Sequence, residues 1–167
     1  MQIFRNGYDI VTVGKNLADF DTIEKLKTLD MAKPTVFTLG HFDQFNANHA
    51  DFLYEANGLG ARLIVGLFDD YPSTNFKFSC ADRLAILLSN KYVDYVVVLE
   101  ENDSVADLVE ALRVDTFAVS EADAEHSFGL TPHVKKVEVI PNFKPDDCLP
   151  TKLRVINANF GLRKKGK

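Results

Sequence analysis

Four short apolar runs, each set off by a helical pattern, limit what this chain can fold into. They are residues 35–39 (TVFTL), 63–68 (LIVGLF), 95–99 (YVVVL) and 116–119 (TFAV). Runs without polar alternation are what strands buried on both faces require. Between them, apolar residues recur three and four apart: Phe52, Leu53 and Ala56 within 48–57, Leu84, Leu87 and Leu88 within 81–90, and Val105, Leu108, Val109 and Leu112 within 104–113. That spacing puts one apolar stripe on each helix. Strands alternating with helices imply parallel pairing through right-handed crossovers. The expected fold class is therefore α/β, a Rossmann-like doubly wound parallel sheet forming one domain over residues 34–160. A late strand within 134–140 and a last helix over 150–157, with Pro150 in its first turn, complete the pattern.

Residues 1–33 read as an N-terminal extension. Residues 2–5 and 8–13 flank Asn6-Gly7, a hairpin signal because both turn residues tolerate positive φ. Asp21-Thr22 offers a helix cap, Ile23, Leu26 and Leu29 follow at helical spacing, and Pro34 ends the helix. Residues 161–167 form a basic tail, read as solvated. A net charge of -5 over 167 residues argues against broad nucleic-acid binding. No apolar run approaches the roughly 20 residues of a membrane span, so no membrane partner is expected. Met1 is not followed by a signal-peptide pattern, which makes a cytoplasmic location the expectation. Cys80 and Cys148, far apart, read as free thiols of a reducing compartment.

The chemistry concentrates in Gly40-His41-Phe42-Asp43-Gln44-Phe45-Asn46-Ala47-Asn48-His49. This segment leaves the first core strand and enters a helix. A strand, a glycine turn and a polar helix entrance build an anion site, because helix N-terminal N–H groups are unpaired and partly positive. His49 and Asn46 lie at that entrance, where their side chains reach the same anion. In open α/β sheets, ligands bind at such carboxyl ends of strands. The turn lacks Gly-x-Gly-x-x-Gly and the chain lacks Gly-x-x-x-x-Gly-Lys-Ser/Thr, which disfavours a dinucleotide oxidoreductase and a P-loop ATPase. His126 and His133 lack metal-ligand spacing, so no protein metal site is expected. Structural roles compete at several positions. Asn46 is a preferred helix cap. Asp43 beside a phosphate would repel it, and so reads as structural. Asp69-Asp70 reads as a turn and Lys77 as a solvated loop residue.

The same segment resembles the fingerprint of the cytidylyltransferase-like nucleotidyltransferase family, Gly-x-Phe-Asp-x-x-His-x-Gly-His. Gly40, Phe42, Asp43 and His49 match, while Asn46 and Asn48 stand in place of the first histidine and the glycine. The likeness extends through Gly58-Leu59-Gly60, Asp69-Asp70, Lys77, Cys80-Ala81-Asp82-Arg83, Val93-Asp94-Tyr95-Val96-Val97 and Leu112-Arg113-Val114-Asp115. Ser120-Glu121-Ala122-Asp123 takes the place of an acidic Gly-Gly-Asp region, and Cys148-Leu149-Pro150-Thr151 that of Ile-Ser-Thr-Thr. The helix before the motif is similar to that of heptose-phosphate adenylyltransferases.

The resemblance implies transfer of a nucleoside monophosphate from CTP or ATP to a small phosphorylated acceptor, a sugar or polyol phosphate, with release of pyrophosphate. It implies His49, Asn46 and Lys77 as catalytic residues. It implies Thr38, Leu39, Gly40, His41, Phe42, Asp43, Ser120, Lys144 and Thr151 as nucleotide-binding residues, with Arg83 supporting the loop. Mg²⁺ bridging the phosphates is implied as cofactor, and a homodimer is a further expectation. The changes at Asn46, Asn48 and Leu149 keep a second reading open, a slow enzyme or a nucleotide-binding or assembly protein without turnover.

Overall fold

The computed structural model describes residues 1–6, 9–12, 20–28, 33–125 and 129–143. In chain order the elements are β1 (Gln2–Arg5), β2 (Asp9–Thr12), α1 (Phe20–Thr28), β3 (Thr35–Gly40), α2 (Ala47–Asn57), β4 (Arg62–Phe68), α3 (Cys80–Leu88), β5 (Tyr95–Leu99), α4 (Val105–Ala111), β6 (Thr116–Ser120) and β7 (Lys136–Ile140). Short 3₁₀ turns occupy Glu121–Asp123 and Thr131–His133. All four apolar runs are strands, as their uniform burial demands. Helix ends moved by a residue or two where a hydroxyl caps them. Ser79 accepts from the Asp82 N–H and starts α3 at Cys80, and Ser104 does the same for α4 through Asp107. The turn residues Gly7 and Tyr8, the helix expected over 150–157, and the tail 161–167 lie outside the described residues.

One sheet holds all seven strands in the order β2-β1-β5-β4-β3-β6-β7. The five strands from β5 to β7 are parallel, while β1 runs antiparallel to both β2 and β5. The chain moves from β3 outward to β5, then returns to place β6 on the other side of β3. Strand order thus reverses between β3 and β6, and a crevice opens there at the carboxyl ends of the strands.

Alternate residues along each strand feed two cores. Val36, Leu63, Val65 and Val96 pack with Leu53 and Ala56 of α2 and Leu87 and Leu88 of α3. Phe37, Ile64, Val97 and Phe117 pack on the opposite face with Leu108 and Val109 of α4 and Leu26 of α1. The N-terminal segment, expected as an extension, contributes to this second core through Met1, Ile3 and Leu26. Asn6 fastens it, donating from its side chain to the carbonyls of Asn90 at 3.0 Å and Val93 at 2.7 Å. No helix among the described residues is long and apolar enough to cross a membrane.

Gly60 sets the entry to β4. A Cβ there would lie 2.6 Å from the Pro34 carbonyl oxygen and 2.7 Å from Val36 Cγ2. The oxygen belongs to the backbone and has little freedom to retreat, so overpacking is the expected result. Gly60→Ala should destabilise the protein by about 1–3 kcal/mol. Urea unfolding followed by circular dichroism checks this, and an unchanged midpoint would mean that the β3–β4 entry relaxes freely.

Candidate functional site

At the end of β3 the chain turns sharply. Phe42 and Gln44 hold left-handed backbone conformations, φ 51° and 49°. Such a conformation in a non-glycine residue costs roughly 1–2 kcal/mol and persists where surrounding contacts fix it. The Phe42 ring tucks beneath the turn, so close that a Cβ on Gly40 would stand 3.1 Å from it. Four residues on, Asn46 caps α2: its Oδ1 accepts from the Asn48 N–H at 2.9 Å. The Asn46 N–H in turn donates to His49 Nδ1 at 3.1 Å. That bond fixes the imidazole tautomer. With Nδ1 accepting, the proton sits on Nε2, which is left for the space in front of the helix. Burial between Phe42 and Phe45 lowers the His49 pKa, which favours the neutral ring.

A buried arginine holds the turn from behind. Arg83 on α3 is 0% exposed. It donates to the carbonyls of His41 at 2.8 Å, Phe68 at 2.8 Å and Phe78 at 3.2 Å, and pairs with Asp70 at 2.7 Å. Asp70 also accepts from the Cys80 N–H at 2.8 Å, at the start of α3. The Phe76 ring lies 4.5 Å from the guanidinium. Asp43 completes the clamp from the front, accepting from the backbone N–H groups of Lys77 at 2.9 Å and Phe78 at 3.0 Å. Asp43 is held below the usual carboxylate range chiefly by the Lys77 N–H. Asp70 is held below it chiefly by the Cys80 N–H, with Arg83 adding to the effect. The structural reading of Asp43 is the one this geometry favours. Cys80 is no nucleophile: burial, then a hydrogen bond to Asp69, pushes its thiol up to about 12.

These loops wall a cleft of about 560 Å³ over the strand ends, a size suited to a nucleotide. Leu39, Gly40, His41, Phe42, Asp43, His49 and Ser120 line it. Thr38 is buried in the sheet behind the wall. Asn46 is absent from the wall, its side-chain oxygen engaged in the helix cap. Lys77 has an exposed side chain and is likewise not part of the lining. Arg83 supports the loop without entering the cleft. Lys144 and Thr151 lie outside the described residues.

The cleft also includes residues that were not expected among its ligand contacts. Asn48, Phe52, Phe68, Phe76, Asp123 and Phe143 all line it. Phe52 and Phe68 read as core from their periodicity, and nothing local marks Phe76 or Phe143. Asp123 turns inward because Ser120 Oγ accepts its N–H and donates to its Oδ2, at 3.3 and 2.7 Å. Among the described lining residues there are two imidazoles and two carboxylates but no lysine or arginine. No cluster of three metal-ligating side chains forms among the described residues.

A family model described as cytidylyltransferase-like matches residues 37–160. The bifunctional protein HldE of Helicobacter pylori (strain P12) is 44% identical over 100 residues, covering 56% of this chain and 21% of that protein. The bifunctional protein HldE of Campylobacter curvus is 39% identical over 99 residues, with the same coverage of 56% and 21%. The chain thus spans about a fifth of the length of the curated relatives it matches. A lipopolysaccharide core biosynthesis protein from Thermoplasma volcanium superposes with a TM-score of 0.56 at 24% identity, covering 66% of this chain and 98% of that one. Pantothenate synthetase from Thermus thermophilus superposes at 0.51 with 12% identity, covering 75% and 62%. At such identities these two structures bear on the fold alone.

The clamp makes two outcomes expected. Arg83→Met leaves three carbonyls and Asp70 without their donor, and should cost about 3–5 kcal/mol of stability in urea unfolding. The pH dependence follows from Asp43 and Asp70, whose folded pKa values lie below the ordinary value of about 3.9. Their contribution is fully present above that value and is lost as pH falls through the folded values. Asp43→Asn should therefore flatten part of the acid-side fall in melting temperature. An identical acid limb in variant and parent would remove Asp43 from the clamp.

Proposed function

We infer that this chain, which belongs to the cytidylyltransferase-like family, transfers a nucleoside monophosphate from CTP or ATP to a small phosphorylated acceptor and releases pyrophosphate. The observation that carries this reading is the turn at the β3–β6 switch point, with a histidine whose Nδ1 is engaged and whose Nε2–H remains for a cleft ligand. The relatives named HldE and the resemblance to heptose-phosphate adenylyltransferases support a sugar phosphate as acceptor and ATP as the first nucleotide to try.

In this reading an acceptor phosphate oxygen attacks the α-phosphorus as the bond to the bridging oxygen of the β-phosphate breaks. The protein forms no covalent intermediate. Its task is positioning and stabilisation of charge on the phosphate oxygens. Main-chain N–H groups of the Gly40 turn and the α2 entrance hold the polyphosphate, and neutral His49 donates from Nε2 where charge develops. Lys77 follows Phe76 in a segment whose backbone Asp43 fixes, and in this reading its exposed ammonium would swing toward the bound phosphates to supply the cation that the described wall lacks. Both Asp43 oxygens are taken by backbone donors, and no protein cage forms among the described residues. A Mg²⁺ ion brought in with the triphosphate would supply countercharge to its phosphates.

One observation favours a second reading. Asn46 stands where the fingerprint has a histidine, and its side chain holds an α2 N–H of its own chain. It contributes no cation and occupies a donor an anion would use, as expected of a slow enzyme or of a binder without turnover. Incubation of the chain with MgATP or MgCTP and a panel of sugar and polyol phosphates should release pyrophosphate. His49→Ala should lower kcat by roughly 10²–10³, and Asn46→His should raise it. Nucleotide binding in calorimetry with no pyrophosphate from any acceptor would establish the second reading. An absence of nucleotide binding would end both.

A further inference from the structure

His41 occupies the variable position of the fingerprint, between Gly40 and Phe42. Its carbonyl is held from behind by Arg83, and its ring lines the cleft. The ring packs between Phe68 and Phe76, with centroids 4.9 Å away on each side and tilts of 37° and 42°. Among the described residues neither ring nitrogen has a hydrogen-bond partner. The other two described histidines differ: His49 uses Nδ1 for the α2 cap and His133 uses it for Glu110. The His41 side chain is exposed and lines the cleft, so its ring nitrogens are open to solvent or to a bound anion. The two flanking rings fix the plane of an imidazole whose nitrogens are left to the cleft.

We propose that the His41 imidazole is a second polyphosphate-contacting group of the cleft, supplying the ring donor that position 46 does not. This rests on the reading of the cleft as a polyphosphate site. Burial and the nearby Arg83 lower the His41 pKa, while Asp123 after β6 and Asp43 in its own turn act in the opposite sense. His49, the other imidazole of the wall, keeps Nδ1 on the Asn46 N–H and stays neutral. His41 is therefore the group that takes up a proton when a polyanion arrives. The proton comes from the solvent, and no bond other than N–H forms or breaks.

The test uses inorganic pyrophosphate, which carries the anion without base or ribose, titrated into the full chain by calorimetry in two buffers of different ionisation enthalpy. The parent chain should bind with net proton uptake, and more weakly as pH rises through neutrality. His41→Phe keeps the packing between Phe68 and Phe76, so its melting temperature should hold while pyrophosphate affinity falls about tenfold and proton uptake disappears. His41→Gln restores a neutral donor and should recover part of the affinity without the proton uptake. It also decides the matter if the phenylalanine variant does not fold. Parent-like affinity and proton uptake in both variants would overturn the proposal, as would a parent chain that binds no pyrophosphate. Turnover of a nucleotide with KM and pyrophosphate affinity unchanged in His41→Phe would sink His41 alone. Binding of pyrophosphate that depends on His41, with no turnover of any nucleotide, would sink the transferase reading and leave His41 standing.

Discussion

The cleft exists because a guanidinium is buried behind it. Arg83 has no exposed surface, and a buried charge is tolerated only when its donors are met and its charge is balanced. Three carbonyls and Asp70 meet that demand. The carbonyls come from the turn after β3, the end of β4 and the segment entering α3, three pieces of chain that diverge from the sheet. Each must stay where the guanidinium can reach it, so the requirements of one side chain set the spacing of the loops. Asp43 then closes the front of the same joint through two backbone donors. A carboxylate beside a polyanion site looks misplaced until its partners are counted. Engaged by N–H groups, it organises the wall and leaves the ligand to other residues.

Asn46 shows how a single position divides between folding and chemistry. As a helix cap it answers two local needs, accepting from Asn48 and offering its own N–H to His49. The second bond has a consequence beyond the helix end. It makes Nδ1 of His49 an acceptor, which assigns the proton to Nε2 and gives the cleft a donor of fixed orientation. The first bond works against ligand capture, since a main-chain amide at a helix start is what an anion would otherwise take. The asparagine thus secures the second histidine of the fingerprint while withholding what a first histidine would have offered.

The fold was legible because its signals did not conflict. Runs such as Leu63 to Phe68 have no polar alternation, so only a strand covered on both faces suits them, and the helices between them fix the pairing as parallel. The structure joined residues 1–6 to the same sheet and core, a choice between sheet edge and other partners that sequence left open, because antiparallel pairing of β1 with β5 is decided by a free sheet edge rather than by any local pattern. The site was half legible. Gly40, Asp43 and His49 announce themselves by spacing around a strand end. Arg83 was placed as support, but its full burial depends on where β4 and the segment before α3 converge. Phe76 and Phe143 line the wall from stretches with no periodicity, and only tertiary structure brings them there. Lys77 carries the opposite lesson: its backbone is fixed at the site while its side chain is exposed and outside the cleft lining.

These features give the cleft an unusual electrostatic character. Its described wall offers aromatic surface, two imidazoles and two carboxylates, of which Asp43 is already engaged. A highly charged anion entering such a wall alone would meet no fixed countercharge, and electrostatic steering from the wall would be weak. An anion that arrives with its own divalent ion meets different terms. Its net charge is reduced, and what remains to be satisfied are individual oxygen atoms that need directed donors. Main-chain amides and the His49 ring, held against Phe42 and Phe45, supply direction rather than charge. Neutral donors preorganised in a partly apolar cleft hold a developing oxyanion without first having to be stripped of water, which is the condition under which hydrogen bonds contribute most to transition-state stabilisation. On the proposed reading, such a wall suits a polyphosphate whose charge is partly offset before it binds.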